Sequence, residues 1–163
     1  MNVLYLHGLD GSLSTEKAET LNFYANKLIA PQINYRTDDL DALIGNIFKN
    51  EEIDLVVGSS LGGYVAYHLA RQYDIHCLLF NPALSTQSVI PNFRNATTYD
   101  QYTSIMQVVL GGRDKIVNAS TTFHFLTSKS GLTNAIISYY PSLEHRIDES
   151  LFSEEFSRIF ALL

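Results

Sequence analysis

The sequence predicts an α/β fold, a mostly parallel sheet with helices on both faces. Two patterns carry that expectation. Short apolar runs alternate along the whole chain with longer amphipathic segments, as strands joined by crossover helices require. Most of the short runs are β-branched or leucine-rich and uninterrupted, as strands covered on both faces are. A length of 163 residues, 46% of them hydrophobic, suffices for one core that buries about two-thirds of the unfolded chain's surface. Residues 1–163 are therefore read as a single domain.

The first strand is Asn2 to His7, opening the chain with Val3-Leu4-Tyr5-Leu6. A helix follows from Ser14, where Ser14-Thr15-Glu16-Lys17 resembles a capping box and Ala18, Leu21, Tyr24, Ala25 and Leu28 recur at helical spacing. Ala30 to Asn34 is expected as the second strand, and about Asp39 to Lys49 as the next helix. Ile53 to Gly58 is the third strand and Leu61 to Gln72 its following helix. The fourth and fifth strands are His76 to Asn81 and Ile105 to Gly111, with a helix over Ala119 to Lys129. Ala135 to Tyr140 and a helix over Glu149 to Leu162 complete the pattern. One segment does not conform. Pro82 to Tyr102 mixes prolines, polar residues and scattered aromatics without a period, and excursions of this length inside a small domain are often functional.

Composition excludes several classes of function. With 17 acidic against 11 basic residues and a formal net charge of −6, no basic field collects phosphates, so nucleic acid is not expected as a partner. The single cysteine, Cys77, cannot form an internal disulfide, which suits a reducing compartment. Because the chain opens directly on a strand, no signal peptide is expected, and a cytoplasmic location follows as an expectation. No apolar stretch approaches the roughly 20 residues of a membrane helix, so stable membrane insertion is not expected. Neither dinucleotide-binding nor P-loop glycine motifs occur, and no His, Cys and carboxylate cluster has metal-ligand spacing.

The strongest chemical signal is Gly58-Ser59-Ser60-Leu61-Gly62-Gly63, a G-x-S-x-G match directly after one apolar run and before a helical one. A strand-to-helix turn with a serine at its apex closes only if the positions two before and two after are very small, and Gly58 and Gly62 meet that need. A serine hydroxyl is a weak nucleophile at neutral pH, so Ser60 requires an imidazole base and a carboxylate to hold the imidazole's tautomer. Of five histidines, His145 alone follows a strand in a polar loop late in the chain and takes the base role. His124, inside a helical pattern, is the alternative, and its structural reading is a half-buried helix histidine.

Asp114, in the turn after Gly111-Gly112, is expected as the acid, with Glu144 and Asp148 as weaker candidates on the histidine's own loop. The oxyanion donors should be the backbone N–H groups of Leu61, at the start of its helix, and Leu9, in the loop His7-Gly8-Leu9-Asp10-Gly11-Ser12. His7 is read as a structural residue that ties this loop down. Ile90, Phe93, Tyr99 and Tyr102 are candidates for an apolar wall around an acyl chain.

Tyr5-Leu6-His7-Gly8 with Ser14, Lys17 and Ala18, then Gly58-Ser59-Ser60-Leu61-Gly62-Gly63-Tyr64, Asp114 and His145, resembles the small bacterial α/β-hydrolases of the YqiA/YcfP-like esterase group. The resemblance implies a minimal α/β-hydrolase fold with strand order 2-1-3-4-5-6 and no full cap domain. It also implies a serine esterase or thioesterase acting on small acyl esters, without metal or organic cofactor. This chain departs from the usual α/β-hydrolase pattern at Leu143-Glu144-His145, where a glycine often precedes the histidine. The same residues also admit an amidase, peptidase or acyltransferase, or an α/β-hydrolase-like binding protein without catalysis.

Overall fold

The computed structural model describes residues 1–85, 87–94, 102–128, 132 and 134–163. Six parallel strands lie in the order β2-β1-β3-β4-β5-β6. They are β1 Asn2–Leu6, β2 Lys27–Ile29, β3 Leu55–Ser59, β4 His76–Phe80, β5 Met106–Gly111 and β6 Ala135–Tyr140. The connecting helices are α1 Thr15–Tyr24, α2 Leu40–Asn50, α3 Leu61–Tyr73, α4 Ala119–Thr127 and α5 Glu149–Phe160.

Alternation along the strands divides the core in two. Val3, Tyr5, Leu55, Val57, Leu78, Phe80 and Val109 face α1 and α5, where Leu21, Phe152, Phe156 and Ile159 meet them. Leu4, Leu6, Val56, Leu79, Val108 and Leu110 face the other way, against Ile44 and Ile47 of α2, Val65 and Leu69 of α3, and Leu126 of α4. Each such fully buried side chain contributes about 1.5–3 kcal/mol relative to leaving it exposed. Helix starts are set by local capping. Ser14, Asp39, Asn118 and Asp148 each accept a hydrogen bond from the backbone N–H three residues on.

The second strand is not where the sequence pattern puts it. It spans Lys27–Ile29, pairing with Asn2, Val3 and Leu4 of β1, and not Ala30 to Asn34. The helical spacing that reached Leu28 is broken at Ala25, which is extended, and the Asn26 N–H turns to the Met1 carbonyl. Beyond β2, Pro31 has no N–H to give a ladder, and the Ile33 N–H donates instead to His7 Nε2 at 2.9 Å. Residues 30–36 thus leave the sheet and pack beneath the loop that follows β1. The last residue expected in the fourth helix, Lys129, lies outside the described residues.

Between β4 and β5 the described residues form no helix or strand above the carboxyl edge of the sheet. Their path runs back against α2, where Asn92 bridges Asp39 and its carbonyl accepts the Leu40 N–H. Among the described residues of this segment the expected apolar wall is not assembled. Tyr102 is 2% exposed in the core, and its hydroxyl hydrogen-bonds the Ile75 and Ile105 carbonyls at the opposite end of the sheet. Ile90 is 88% exposed, and Phe93 packs by the His68 ring. Tyr99 lies outside the described residues. An aromatic in an irregular polar stretch carries no period to say which side of the sheet it enters.

Candidate active site

The winding of the sheet reverses between β1 and β3, and crevices at such reversals lie open at the carboxyl ends of the strands. Two loops meet there. Ser60, directly after β3, has φ 53° and ψ −116°, a conformation that costs a non-glycine residue about 1–3 kcal/mol. Hydrogen bonds from the Ser60 N–H to the Phe80 carbonyl at 2.9 Å and from the Ala83 N–H to the Ser60 carbonyl at 3.0 Å hold it. The Ser60 side chain makes no capping bond to α3, so its hydroxyl is not used by the helix it precedes. A methyl group at Gly58 would lie 2.5 Å from the Gly62 carbonyl oxygen, and one at Gly62 would fall on the Leu6 and His7 carbonyls. Only glycine fits either place.

The loop after β1 comes within contact distance of the serine, since a methyl group on Gly8 would sit 3.3 Å from Ser60 Cβ. Its shape is fixed by His7, which is buried. His7 Nε2 accepts from the Ile33 N–H, so the ring proton resides on Nδ1 and is donated to the Gly8 carbonyl at 2.7 Å. Across a trans peptide the N–H opposes the carbonyl, so turning the Gly8 oxygen toward His7 leaves the Leu9 N–H on the opposite side. Leu9, Ser60 and Leu61 line one cavity of about 270 Å³ together with Ala83, Gln87, Ser88, Ile116 and Val117. Residues 32–36 add further ties. Gln32 Nε2 donates to the Gly11 carbonyl, Tyr35 Oη donates to the His7 carbonyl at 2.6 Å, and Arg36 clasps Asp10 through both carboxylate oxygens. Burial raises the Tyr35 phenol well above its ordinary pKa, keeping it a donor, and the Arg36 guanidinium lowers that of the Asp10 carboxyl.

Asp114 and His145 are brought together, with His145 Nδ1 2.7 Å from Asp114 Oδ2. The Asp114 side chain is 0% exposed and that of His145 23%, so the carboxylate is sealed while the imidazole keeps an open edge. The other carboxylate oxygen, Oδ1, accepts the N–H groups of Ile116 at 2.7 Å and Val117 at 2.8 Å. Those bonds fix the plane in which Oδ2 meets the ring. Gly111 permits the approach of the histidine loop, since a methyl group there would lie 2.6 Å from the Leu143 carbonyl oxygen. The weaker acid candidates serve elsewhere: Asp148 caps α5, and Glu144 is exposed. His124 lies exposed on α4, not half-buried.

Asn81, which the sequence pattern marks only as the end of a strand, hydrogen-bonds the backbone of the His145 loop. The signal available for it was a non-glycine residue before a proline at the carboxyl end of a strand. Among the described residues no group of three or more His, Cys, Asp or Glu side chains is placed to hold a metal ion, and no helix is long and apolar enough to cross a membrane.

The fold is that of α/β-hydrolases. A protein assigned to the hydrolases of the α/β superfamily from Xanthomonas campestris superposes with a TM-score of 0.72 over 99% of this chain and 98% of its own, at 16% identity. The α/β hydrolase domain-containing protein 10 from mouse gives 0.71 over 99% and 88% of the two chains, at 13% identity. Est1E from Butyrivibrio proteoclasticus gives 0.70 over 99% and 88%, at 16% identity. Residues 2–124 match the sequence model of an uncharacterised protein family, UPF0227. The matched span contains the loop after β1, Ser60 and Asp114, while His145 lies beyond it.

Proposed function

The chain belongs to the UPF0227 family, and on that premise we propose that it is a serine hydrolase that cleaves short acyl esters or thioesters through an acyl-enzyme. Ser60 attacks the acyl carbonyl while His145 takes its proton and passes it to the leaving group. Asp114 holds the proton of the imidazole on Nδ1, leaving Nε2 free to accept, and stabilises the cation that forms. The N–H groups of Leu9 and Leu61 receive the oxyanion, an interaction strongest in the transition state and therefore one that raises kcat. Water then attacks the acyl-enzyme with the same base.

The observation that carries this reading is the sealed Asp114 carboxylate on the His145 ring at 2.7 Å, at the same edge of the sheet as a strained serine whose hydroxyl no cap consumes. Preference for short acyl groups is supported by the cavity of about 270 Å³ beside Ser60, which is below the range of about 300–1,000 Å³ typical of drug-sized ligand pockets. A panel of p-nitrophenyl esters and acyl thioesters from acetyl to dodecanoyl tests it. The expected result is kcat/KM highest for the shortest chains, with turnover lost in Ser60→Ala. A strong preference for long chains would refute the assignment of substrate class.

A further inference from the structure

Asn81 closes β4 with φ 41°, a left-handed conformation that asparagine tolerates better than most residues, and it is 1% exposed. Both ends of its carboxamide are engaged. Oδ1 accepts the Gly111 N–H at 2.7 Å, and Nδ2 donates to the carbonyls of Glu144 at 3.1 Å and His145 at 3.2 Å. These partners fix the orientation of the amide, since an N–H must face the oxygen and two carbonyls must face the nitrogen.

One side chain therefore joins the acid turn to the histidine loop, from a segment whose backbone also holds the serine turn. Gly111 ends β5, three residues before Asp114, and the neighbouring Phe80 and Ala83 hold Ser60 by its own N–H and carbonyl. The histidine loop is otherwise fastened at its margins, by the Arg113 N–H on the Leu143 carbonyl at 2.9 Å and by Asp148 at the start of α5. Between those points the Glu144 and His145 carbonyls hang on Asn81, and the Ile147 carbonyl accepts from Lys17 Nζ at 2.8 Å. Terminating a strand does not require this reach, because glycine would satisfy the backbone angle alone.

We propose that Asn81 is a positioning residue for His145, setting where the loop delivers the imidazole between Asp114 and Ser60. The kinetic part of the proposal rests on His145 acting as the base. Misplacement of a catalytic group by about 1 Å costs on the order of 100-fold in rate.

Asn81→Asp is the direct test, because it keeps an oxygen toward the Gly111 N–H and sets the other against two carbonyl oxygens. Expected are a fall in kcat of about 100-fold with KM within about threefold, and little further loss when the change is added to His145→Ala. The second readout is independent of turnover. In protein carrying 15N-histidine, the Nδ1 proton shared with Asp114 is assigned by its absence in His145→Gln, and it should broaden or vanish in Asn81→Asp. Should that variant fail to fold, Asn81→Gly keeps the backbone angle, removes the carboxamide and is judged by the same two readouts. An unchanged His145 proton resonance, or kcat within threefold of wild type, would overturn the proposal. Retained turnover in Ser60→Ala would instead remove the hydrolase reading, and the resonance would still decide the role of Asn81.

Discussion

Replacing Asp114 by asparagine should cost about 10³–10⁴-fold in kcat with KM nearly unchanged. The direction follows from the two bonds at Oδ1. The Ile116 and Val117 N–H groups require an oxygen there, so the amide oxygen occupies that site and the NH2 group faces His145. The reverse orientation leaves two N–H groups unsatisfied, at about 1–3 kcal/mol each, and is disfavoured by about 30-fold or more. Facing a donor, His145 Nδ1 must accept, which moves the ring proton to Nε2, where a proton from Ser60 can no longer be taken. A loss of 10³–10⁴-fold corresponds to about 4–5.5 kcal/mol of transition-state stabilisation. Because the Oδ1 bonds survive, thermal unfolding should shift little. Steady-state hydrolysis of p-nitrophenyl acetate at pH 7.5, beside a melting curve, measures both. A loss below tenfold, or one confined to KM, would refute the argument that Asp114 sets the tautomer.

His7→Phe should lower kcat by about tenfold or more by releasing the Gly8–Leu9 peptide, and lower stability by about 1–3 kcal/mol because the Ile33 N–H loses its acceptor; urea unfolding and ester turnover check the two effects, and an unchanged kcat would detach His7 from the proposed role of the Leu9 N–H. Cys77 is buried, and burial pushes its thiol up to about 12, so a disulfide reagent at pH 8 should titrate no thiol in the native protein and one in urea. The Thr103 hydroxyl, with the N–H groups of Ser104 and Thr103, holds the Asp74 carboxyl below its ordinary range. Its contribution to stability is therefore full above the unfolded value of about 3.9 and is lost as pH falls through the folded value. Melting temperatures of wild type and Asp74→Asn should accordingly converge between pH 5 and pH 2; a constant gap would contradict this.

What was legible in the sequence was what local pattern and chain order determine. β3, β4 and β5 are buried on both faces, so an uninterrupted apolar run identifies each. The turn at Ser60 is written within five residues because the steric demand falls on Gly58 and Gly62 themselves. The places of Asp114 and His145 after strands point to both, and their side chains meet at 2.7 Å. The pattern does not mark β2, because it is a three-residue edge strand whose Leu28 continues the helical spacing of α1. That displacement matters for the site. Residues 32–36, freed from the sheet, supply the Ile33, Gln32, Tyr35 and Arg36 contacts that shape the loop carrying Leu9. Asn81 was invisible for a different reason. Its partners lie 30, 63 and 64 residues away in sequence, and no period or spacing encodes such bonds.

Reaction with a fluorophosphonate probes the central claim most directly, because phosphonylation needs a serine activated by a base and braced by oxyanion donors, and needs no knowledge of the natural substrate. The native chain should take up one equivalent, recovered by mass spectrometry on the peptide containing Ser60, and Ser60→Ala, folded by circular dichroism, should take up none. Failure of the native protein to react, or an adduct retained in Ser60→Ala, would contradict the account.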